Sequence, residues 1–122
     1  MSVKKMTAGI AASLFVTSAA MVLTASAAQA ACSNTTVYTP GKVGSSIESG
    51  AIGSAGCGDM TVALEWKRAI GWQQKKSVDF VGGTGIAHLA WNCAGTGTHT
   101  FRAQLWRNGE IIKTSGSARF SC

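Results

Sequence analysis

Apolar and polar residues alternate along two well-separated segments of the chain. The residues on one side are Met60, Val62, Leu64 and Trp66 in the first segment and Phe101, Ala103 and Leu105 in the second. A period of two is typical of a β-strand with one buried face. We therefore predict a strand in each segment and expect the alternating apolar residues to face a common core.

A turn sequence, Asn108-Gly109, ends the second predicted strand. This dipeptide is the strongest short-range indication of a hairpin, because both turn residues must accept a positive φ. The two-residue loop predicts three cross-strand pairs, namely Arg107 with Glu110, Trp106 with Ile111, and Leu105 with Ile112. Since paired residues share a face, Ile112 should point inward with Leu105. Trp106 should point outward, on the same face as Arg102 and Lys113.

Glycine-rich stretches separate further short strands. Strands are predicted at residues 34–39, 77–81, 86–93 and 117–122, and the glycine clusters that punctuate them lie at residues 50–58, 82–85 and 95–97. After residue 30, no segment of ten or more residues carries a helical period. Six or seven short strands with this punctuation indicate an all-β domain, a small antiparallel β-sandwich.

The first thirty residues follow a different pattern, which is that of an export signal. Two lysines are followed by an apolar stretch over residues 8–23 and by a small-residue end, Ala28-Gln29-Ala30. We predict cleavage after Ala30, with Ala27 as the next candidate, so that residues 31–122 form the secreted domain. The apolar stretch is interrupted and shorter than the ~20 residues that span a bilayer, so we expect no stable membrane anchor.

All four cysteines, Cys32, Cys57, Cys93 and Cys122, lie in the predicted secreted domain. Four cysteines allow three pairings, and we favour Cys32–Cys57 and Cys93–Cys122 because each closes a local loop. Disulfides are typical of small exported domains, which indicates a secreted, extracellular protein. A lipid anchor on Cys32 would leave an odd thiol, and no C-x-x-C pair is present, so we expect no metal site.

Residues 91–101, Trp-Asn-Cys-Ala-Gly-Thr-Gly-Thr-His-Thr-Phe, carry a resemblance to a group of small secreted bacterial proteins. Those proteins share a signal peptide, an early cysteine pair, a Cys-x-Gly-x-Gly-Thr-x-Thr segment and a final Ser-Cys, which here is Ser121-Cys122. The resemblance covers much of residues 31–122 in layout and a small number of positions in detail. It implies an immunoglobulin-like sandwich with two disulfides, and it implies no activity and no functional residue.

The reactive side chains of residues 31–122 do not form a recognisable catalytic pattern. A Ser-His-Asp arrangement would have to combine His99 and Asp79 with one of several serines, and no G-x-S-x-G motif is present. His88 and His99 lack the short spacing and the third ligand of a zinc site. The five acidic residues mostly stand beside cations, which disfavours a carboxylate pair for sugar hydrolysis. We therefore expect no enzymatic activity and no cofactor.

The tryptophans and basic residues are candidates for ligand binding. Trp66 and Trp91 share the parity of core residues, whereas Trp72 falls in a predicted loop at residues 70–74 and Trp106 on the polar face of its strand. An exposed tryptophan beside arginine can stack on a sugar ring or on a partner's side chain. The predicted binding surface consists of Trp72, Trp106, Arg102 and Lys113. The alternative is that Trp106 simply covers the second sheet or a loop.

The net charge indicates a second class of binding partner, which is an anionic surface. The whole chain carries a formal +6, and the domain without Lys4 and Lys5 carries +4. Such a charge favours anionic surfaces, and export argues against a dedicated nucleic-acid role. We therefore expect a secreted, non-enzymatic binding module for an extracellular or cell-surface ligand, either a glycan or anionic surface or a protein.

A small secreted effector is the alternative function. A protease inhibitor would need a rigid loop, which residues 70–76 would supply with Lys75 or Lys76 as the recognised side chain. A cationic antimicrobial protein would use the net positive charge itself.

Overall fold

The computed structural model describes Cys32 and residues 34–122. This part of the chain is all-β, as predicted, and consists of two antiparallel sheets in a sandwich-like arrangement. The only helical element among the described residues is a short 3-10 turn at Ala55–Cys57. The predicted export signal at residues 1–30 lies outside the described residues.

The first sheet, called sheet 1, is built around one long strand. Its strands are β1 (Thr35–Val37), β2 (Gly41–Val43), β3 (Ser46–Gly53) and β6 (Ala87–Asn92). β3 pairs with β6 along one edge and with β2 and then β1 along the other. Pro40 lies between β1 and β2, where a residue without a backbone N–H interrupts the edge of the sheet.

The second sheet, called sheet 2, is larger. Its strands are β4 (Asp59–Lys67), β5 (Trp72–Val81), β7 (Thr98–Arg107), β8 (Glu110–Thr114) and β9 (Ala118–Ser121). The order is β5-β4-β7. On the side of β7 away from β4, the first half of β7 pairs with β9 and the second half pairs with β8. Because β4 and β7 lie at the centre, their outward side chains form the middle of one face of the sandwich.

The core lies between the sheets and contains the residues that the alternation predicts. Those from β4 and β7 are Met60, Val62, Leu64, Phe101, Ala103 and Leu105, and each is buried. Sheet 1 contributes Ile47, Ala51 and Leu89. Burying a large apolar side chain stabilises a fold by roughly 1.5–3 kcal/mol, so the pairing of β4 with β7 is a main source of stability.

Both predicted disulfides are present. Cys32 pairs with Cys57 at a Cα–Cα distance of 4.5 Å, and Cys93 pairs with Cys122 at 5.4 Å. The second bond links the end of β6 in sheet 1 to the end of β9 in sheet 2. It therefore joins the two sheets covalently, whereas the first bond ties the start of the domain to the connection between β3 and β4.

β3 runs through a glycine cluster that the sequence predicts to separate strands. Gly50 and Gly53 are buried within it, and a Cβ atom on Gly50 would lie 2.6 Å from the carbonyl oxygen of Ala87. These glycines permit a close approach of neighbouring chain segments and do not form a turn. The interpretation of residues 50–53 as a break is therefore wrong, and the described residues form nine strands instead of six or seven.

β5 begins earlier than predicted. Trp72 is its first residue, so the predicted loop at residues 70–74 is correct only for residues 70–71, and the predicted strand start at residue 77 is wrong. The cause is a bulge at Lys75, which the register leaves without a pairing residue on β4. A bulge shifts the alternation of side chains by one residue and so hides the strand in the sequence.

The predicted hairpin between β7 and β8 is confirmed at its turn and differs beyond it. The turn residues have φ values of 53° and 77°, as a two-residue loop requires, and the pairing of Trp106 with Ile111 is confirmed. A register shift then pairs Leu105 with Lys113 instead of Ile112. The predicted pairing of Leu105 with Ile112 is therefore wrong, and Ile112 is 38% exposed instead of buried in the core.

Candidate functional site

The outward face of sheet 2 carries several of the polar side chains that the sequence singled out. Along β4 and β7, the residues that alternate with the core are Thr61, Ala63, Glu65, Arg102, Gln104 and Trp106. The strand register places Glu65 opposite Arg102 and Thr61 opposite Trp106. Two parts of this face differ in their chemistry, a packed cluster around Arg102 and an open cleft beside Trp106.

Arg102 is held by three neighbours at one end of this face. Its guanidinium carbon lies 4.0 Å from the centroid of the Trp72 ring, and its Nε donates to Glu65 Oε1 at 2.8 Å. With its amide turned to match these partners, Gln104 donates to Glu65 Oε2 and accepts from Arg102 Nη2, both at 3.2 Å. The structure therefore brings Trp72 and Arg102 together, and their side chains contact each other.

Lys113 lies apart from this face. The register shift between β7 and β8 places it opposite the core residue Leu105, and its Nζ donates to the backbone oxygen of Thr35 in β1 at 2.9 Å. This hydrogen bond connects sheet 2 with the edge of sheet 1. The prediction that Lys113 shares the face of Trp106 and Arg102 is therefore wrong, because a one-residue slip moves a side chain to the other face of a strand.

Trp106 borders a cleft at the other end of the face, beside the turn between β7 and β8. The cleft has a volume of about 490 Å³, and we name it the Trp106 cleft; its lining includes Asp59, Thr61, Asp79, Trp106, Arg107 and Asn108. The register explains its floor, because Thr61 lies between Asp79 on β5 and Trp106 on β7. A short side chain between two larger ones leaves a depression in the surface of the sheet.

Hydrogen bonds position the polar groups of the Trp106 cleft. Thr61 Oγ1 donates to Asp79 Oδ1 at 2.7 Å, which orients this carboxylate and leaves its second oxygen available. Arg107 Nε donates to the backbone oxygen of Cys57 at 2.7 Å. Asp59 and Asp79 are both exposed, so two carboxylates stand in a cleft that is bordered by a half-buried indole.

Trp66 and Trp91 pack at the edge of the core, as their parity predicts. Their rings are perpendicular with centroids 5.5 Å apart, and His99 stacks on Trp66 at a centroid distance of 3.7 Å. The ammonium nitrogen of Lys75 lies over both indoles, 4.1 Å from the centroid of Trp66 and 5.1 Å from that of Trp91. Sequence reasoning missed this role of Lys75, since the bulge is what turns its side chain toward the rings.

The two histidines belong to different sheets. His88 is an exposed residue of β6, whereas the Nε2 atom of His99 on β7 lies 2.8 Å from the backbone oxygen of Thr96. In the part of the chain that the structure describes, no group of three or more His, Cys, Asp or Glu side chains is arranged to hold a metal ion. That part also contains no helix with the length and apolar character needed to cross a membrane.

In comparisons with known proteins, no family model, no curated protein and no solved structure matches this chain. A functional interpretation therefore rests on the arrangement of its own side chains. Of the four predicted binding residues, Trp106 lines an open cleft, Trp72 and Arg102 pack on each other, and Lys113 bonds to β1. This arrangement favours the Trp106 cleft as the candidate site.

Proposed function

We propose that this chain is the precursor of a secreted, non-enzymatic binding module that recognises a polysaccharide, outside the cell or at a cell surface, through the Trp106 cleft. The observation that carries the proposal is the position of Trp106, a half-buried indole at an open cleft lined by carboxylate, amide and hydroxyl groups. An indole offers a sugar an apolar surface, while the neighbouring polar groups fix the orientation of the sugar.

The size and composition of the cleft support a short carbohydrate segment as the ligand. Its volume of about 490 Å³ lies within the range of roughly 300–1,000 Å³ that is typical of small-molecule sites. Asp59 and Asp79 supply acceptors for sugar hydroxyls, and Asn108 supplies both donors and an acceptor. These groups, together with Trp106, provide both stacking and hydrogen bonding in one depression.

The proposal includes an immunoglobulin-like fold for the sandwich, and features of the structure support both this fold and secretion. Two disulfides are typical of small domains in oxidising compartments. In immunoglobulin-like sandwiches, strands B and E are neighbours in one sheet and strands C and F in the other. The pairing of β3 with β6 and of β4 with β7 follows the same order along the chain.

The alternative of a protease inhibitor loses the loop on which it depended. An inhibitor of the predicted kind would present Lys75 or Lys76 on a rigid exposed loop at residues 70–76. Residues 72–76 belong to β5, and the ammonium of Lys75 lies over two indole rings. Among the described residues, no observation favours this function over binding at the Trp106 cleft.

Retention of the secreted protein on insoluble peptidoglycan, chitin and cellulose tests the proposal. We expect at least one polymer to retain the protein and Trp106→Ala to weaken retention at least about tenfold, because central aromatic contacts usually dominate the affinity of a site. Ile70→Ala is the matched control, since Ile70 is an apolar residue that is 94% exposed in the connection between β4 and β5. Unchanged retention of Trp106→Ala, or no retention on any polymer, contradicts the proposal.

A further inference from the structure

We infer that the Trp106 cleft selects uncharged sugar units and disfavours anionic polymers, an inference that rests on the proposed function. The chain carries a formal net charge of +6, which by itself favours anionic surfaces. The lining of the cleft has a different balance of charge, because the exposed carboxylates of Asp59 and Asp79 both contribute to it. The local charge, and not the net charge, determines what can approach Trp106 at contact distance.

Several basic side chains are engaged away from the cleft or at its margin. Arg102 is bonded to Glu65, and Lys113 donates to the backbone of β1. Arg107 is the one cation among the lining residues of the Trp106 cleft, and its Nε is used by the backbone oxygen of Cys57. The lining therefore holds one guanidinium against two carboxylates, and most of the positive charge of the chain lies outside this cleft.

The carboxylates decide which ligands fit the cleft. An ionised carboxylate accepts hydrogen bonds and cannot donate them, so it matches the donor groups of sugar hydroxyls. Sulfate, phosphate and uronate groups bring acceptors and the same sign of charge, so Asp59 and Asp79 repel them at close range. Because Thr61 Oγ1 donates to Asp79 Oδ1 at 2.7 Å, this carboxylate is held in place for a second hydrogen bond.

The spacing of the sheet places the acceptor and the stacking group within reach of one sugar ring. Asp79, Thr61 and Trp106 are register neighbours on β5, β4 and β7. Since adjacent strands lie about 4.8 Å apart, the backbones at Asp79 and Trp106 are about 10 Å apart. At this separation, a pyranose ring that contacts the indole lies close enough for one of its hydroxyls to donate to the Asp79 carboxylate.

Titration with soluble oligosaccharides of two charge classes tests the inference. The neutral probes are hexasaccharides of cellulose and of chitin, and the anionic probe is oligogalacturonate, each measured by calorimetry with the secreted protein at about 20 mM and about 500 mM NaCl. We expect a neutral probe to bind with an affinity that changes less than about twofold with salt, because no ion pair forms. At low salt, oligogalacturonate should bind at least about tenfold more weakly.

Asp79→Asn separates the charge of the cleft from its shape. The variant keeps one oxygen acceptor and removes the negative charge, so we expect the preference for neutral over anionic probes to fall at least about threefold. Glu48→Gln, which removes the same charge from β3 in sheet 1, is the control and should leave the preference unchanged. An unchanged preference in Asp79→Asn overturns the inference.

The remaining outcomes distinguish the inference from the proposed function. Tighter binding of oligogalacturonate that disappears at high salt and in Trp106→Ala overturns the inference and leaves the proposed function standing. If peptidoglycan is the one polymer that retains the protein and high salt releases the protein from it, the inference is likewise overturned and the proposed function stands. No binding of any soluble probe, together with no retention on any polymer, overturns both.

Discussion

The ammonium nitrogen of Lys75 lies 4.1 Å from the centroid of the Trp66 ring and 5.1 Å from that of Trp91. This contact depends on the bulge in β5, where Lys75 has no pairing residue on β4. Its neighbour Lys76 pairs with Leu64 in the regular ladder and is exposed. Two adjacent lysines that look equivalent in the sequence therefore have different environments, one over aromatic rings and one in solvent.

Lys75→Ala should lower the free energy of unfolding by about 1 kcal/mol, because it removes a cation that lies over two indole rings. Lys76→Ala removes the same charge from an exposed position and should change the free energy of unfolding by less than about 0.5 kcal/mol. Urea denaturation followed by tryptophan fluorescence measures both. Equal effects of the two substitutions would show that the contact with Trp66 contributes nothing specific.

Glu65→Ala should destabilise the fold by about 1–3 kcal/mol, since it leaves Arg102 and Gln104 without their shared acceptor on a largely buried part of the sheet face. The side chains of Arg102 and Glu65 are 24% and 12% exposed, which places the pair between a surface and a buried salt bridge. Glu48→Ala on the exposed side of β3 is the matched control. A loss of stability no larger than that of the control, measured by chemical denaturation, would rule out a structural role for this cluster.

Gly50→Ala should destabilise the protein by about 1–3 kcal/mol, because the added Cβ would lie 2.6 Å from the carbonyl oxygen of Ala87. Gly41→Ala has open space around the new methyl group and should be neutral or stabilising by a few tenths of a kcal/mol. Thermal unfolding of the two variants compares the sites directly. If Gly50→Ala melts at the same temperature as Gly41→Ala, β3 and β6 are not as closely paired as the structure indicates.

Removal of the Cys93–Cys122 bond in a Cys93→Ala/Cys122→Ala variant should reduce stability by about 3 kcal/mol, since a crosslink across 29 positions restricts the unfolded chain. The bond also joins the two sheets, so near-UV circular dichroism should weaken together with the melting temperature. A variant that keeps both properties of the parent protein would contradict the claim that this disulfide holds the sandwich together.

Strand prediction succeeded where apolar and polar residues alternate regularly and one face of the strand is buried. β4 and the inner residues of β7 were predictable, because each inward position carries an apolar residue that the core requires. The turn between β7 and β8 was equally predictable, since asparagine and glycine tolerate the positive φ that both turn positions adopt.

Strand prediction failed where local geometry breaks the period of two. The bulge at Lys75 hid the first half of β5, and the register shift after Leu105 moved Lys113 away from the outward face. β3 was missed for a different reason, because Gly50 and Gly53 are required by close packing but resemble turn residues in the sequence. Each of these features depends on a neighbouring strand that the local sequence does not reveal.

The candidate site was predictable in part. Trp106 lies two residues before the turn, and the register shift lies between Leu105 and Trp106. The pairing of Trp106 with Ile111 is therefore the predicted one, and its predicted outward orientation is correct. The contribution of Asp79 was missed, because it becomes a neighbour of Thr61 only through the pairing of β5 with β4. Residues that meet across three strands leave no pattern in a single segment of sequence.

The indole N–H resonances of the four tryptophans give the most direct test of the claim that the Trp106 cleft is the binding site. The measurement is a nuclear magnetic resonance titration of residues 31–122 with a soluble fragment of whichever polymer retains the protein, with each resonance assigned by a single Trp→Phe variant. We predict a shift of the Trp106 resonance, with those of Trp66 and Trp91 unchanged because their rings pack against the core and Lys75. A shift of the Trp72 or Trp66 resonance while that of Trp106 stays fixed would contradict the account.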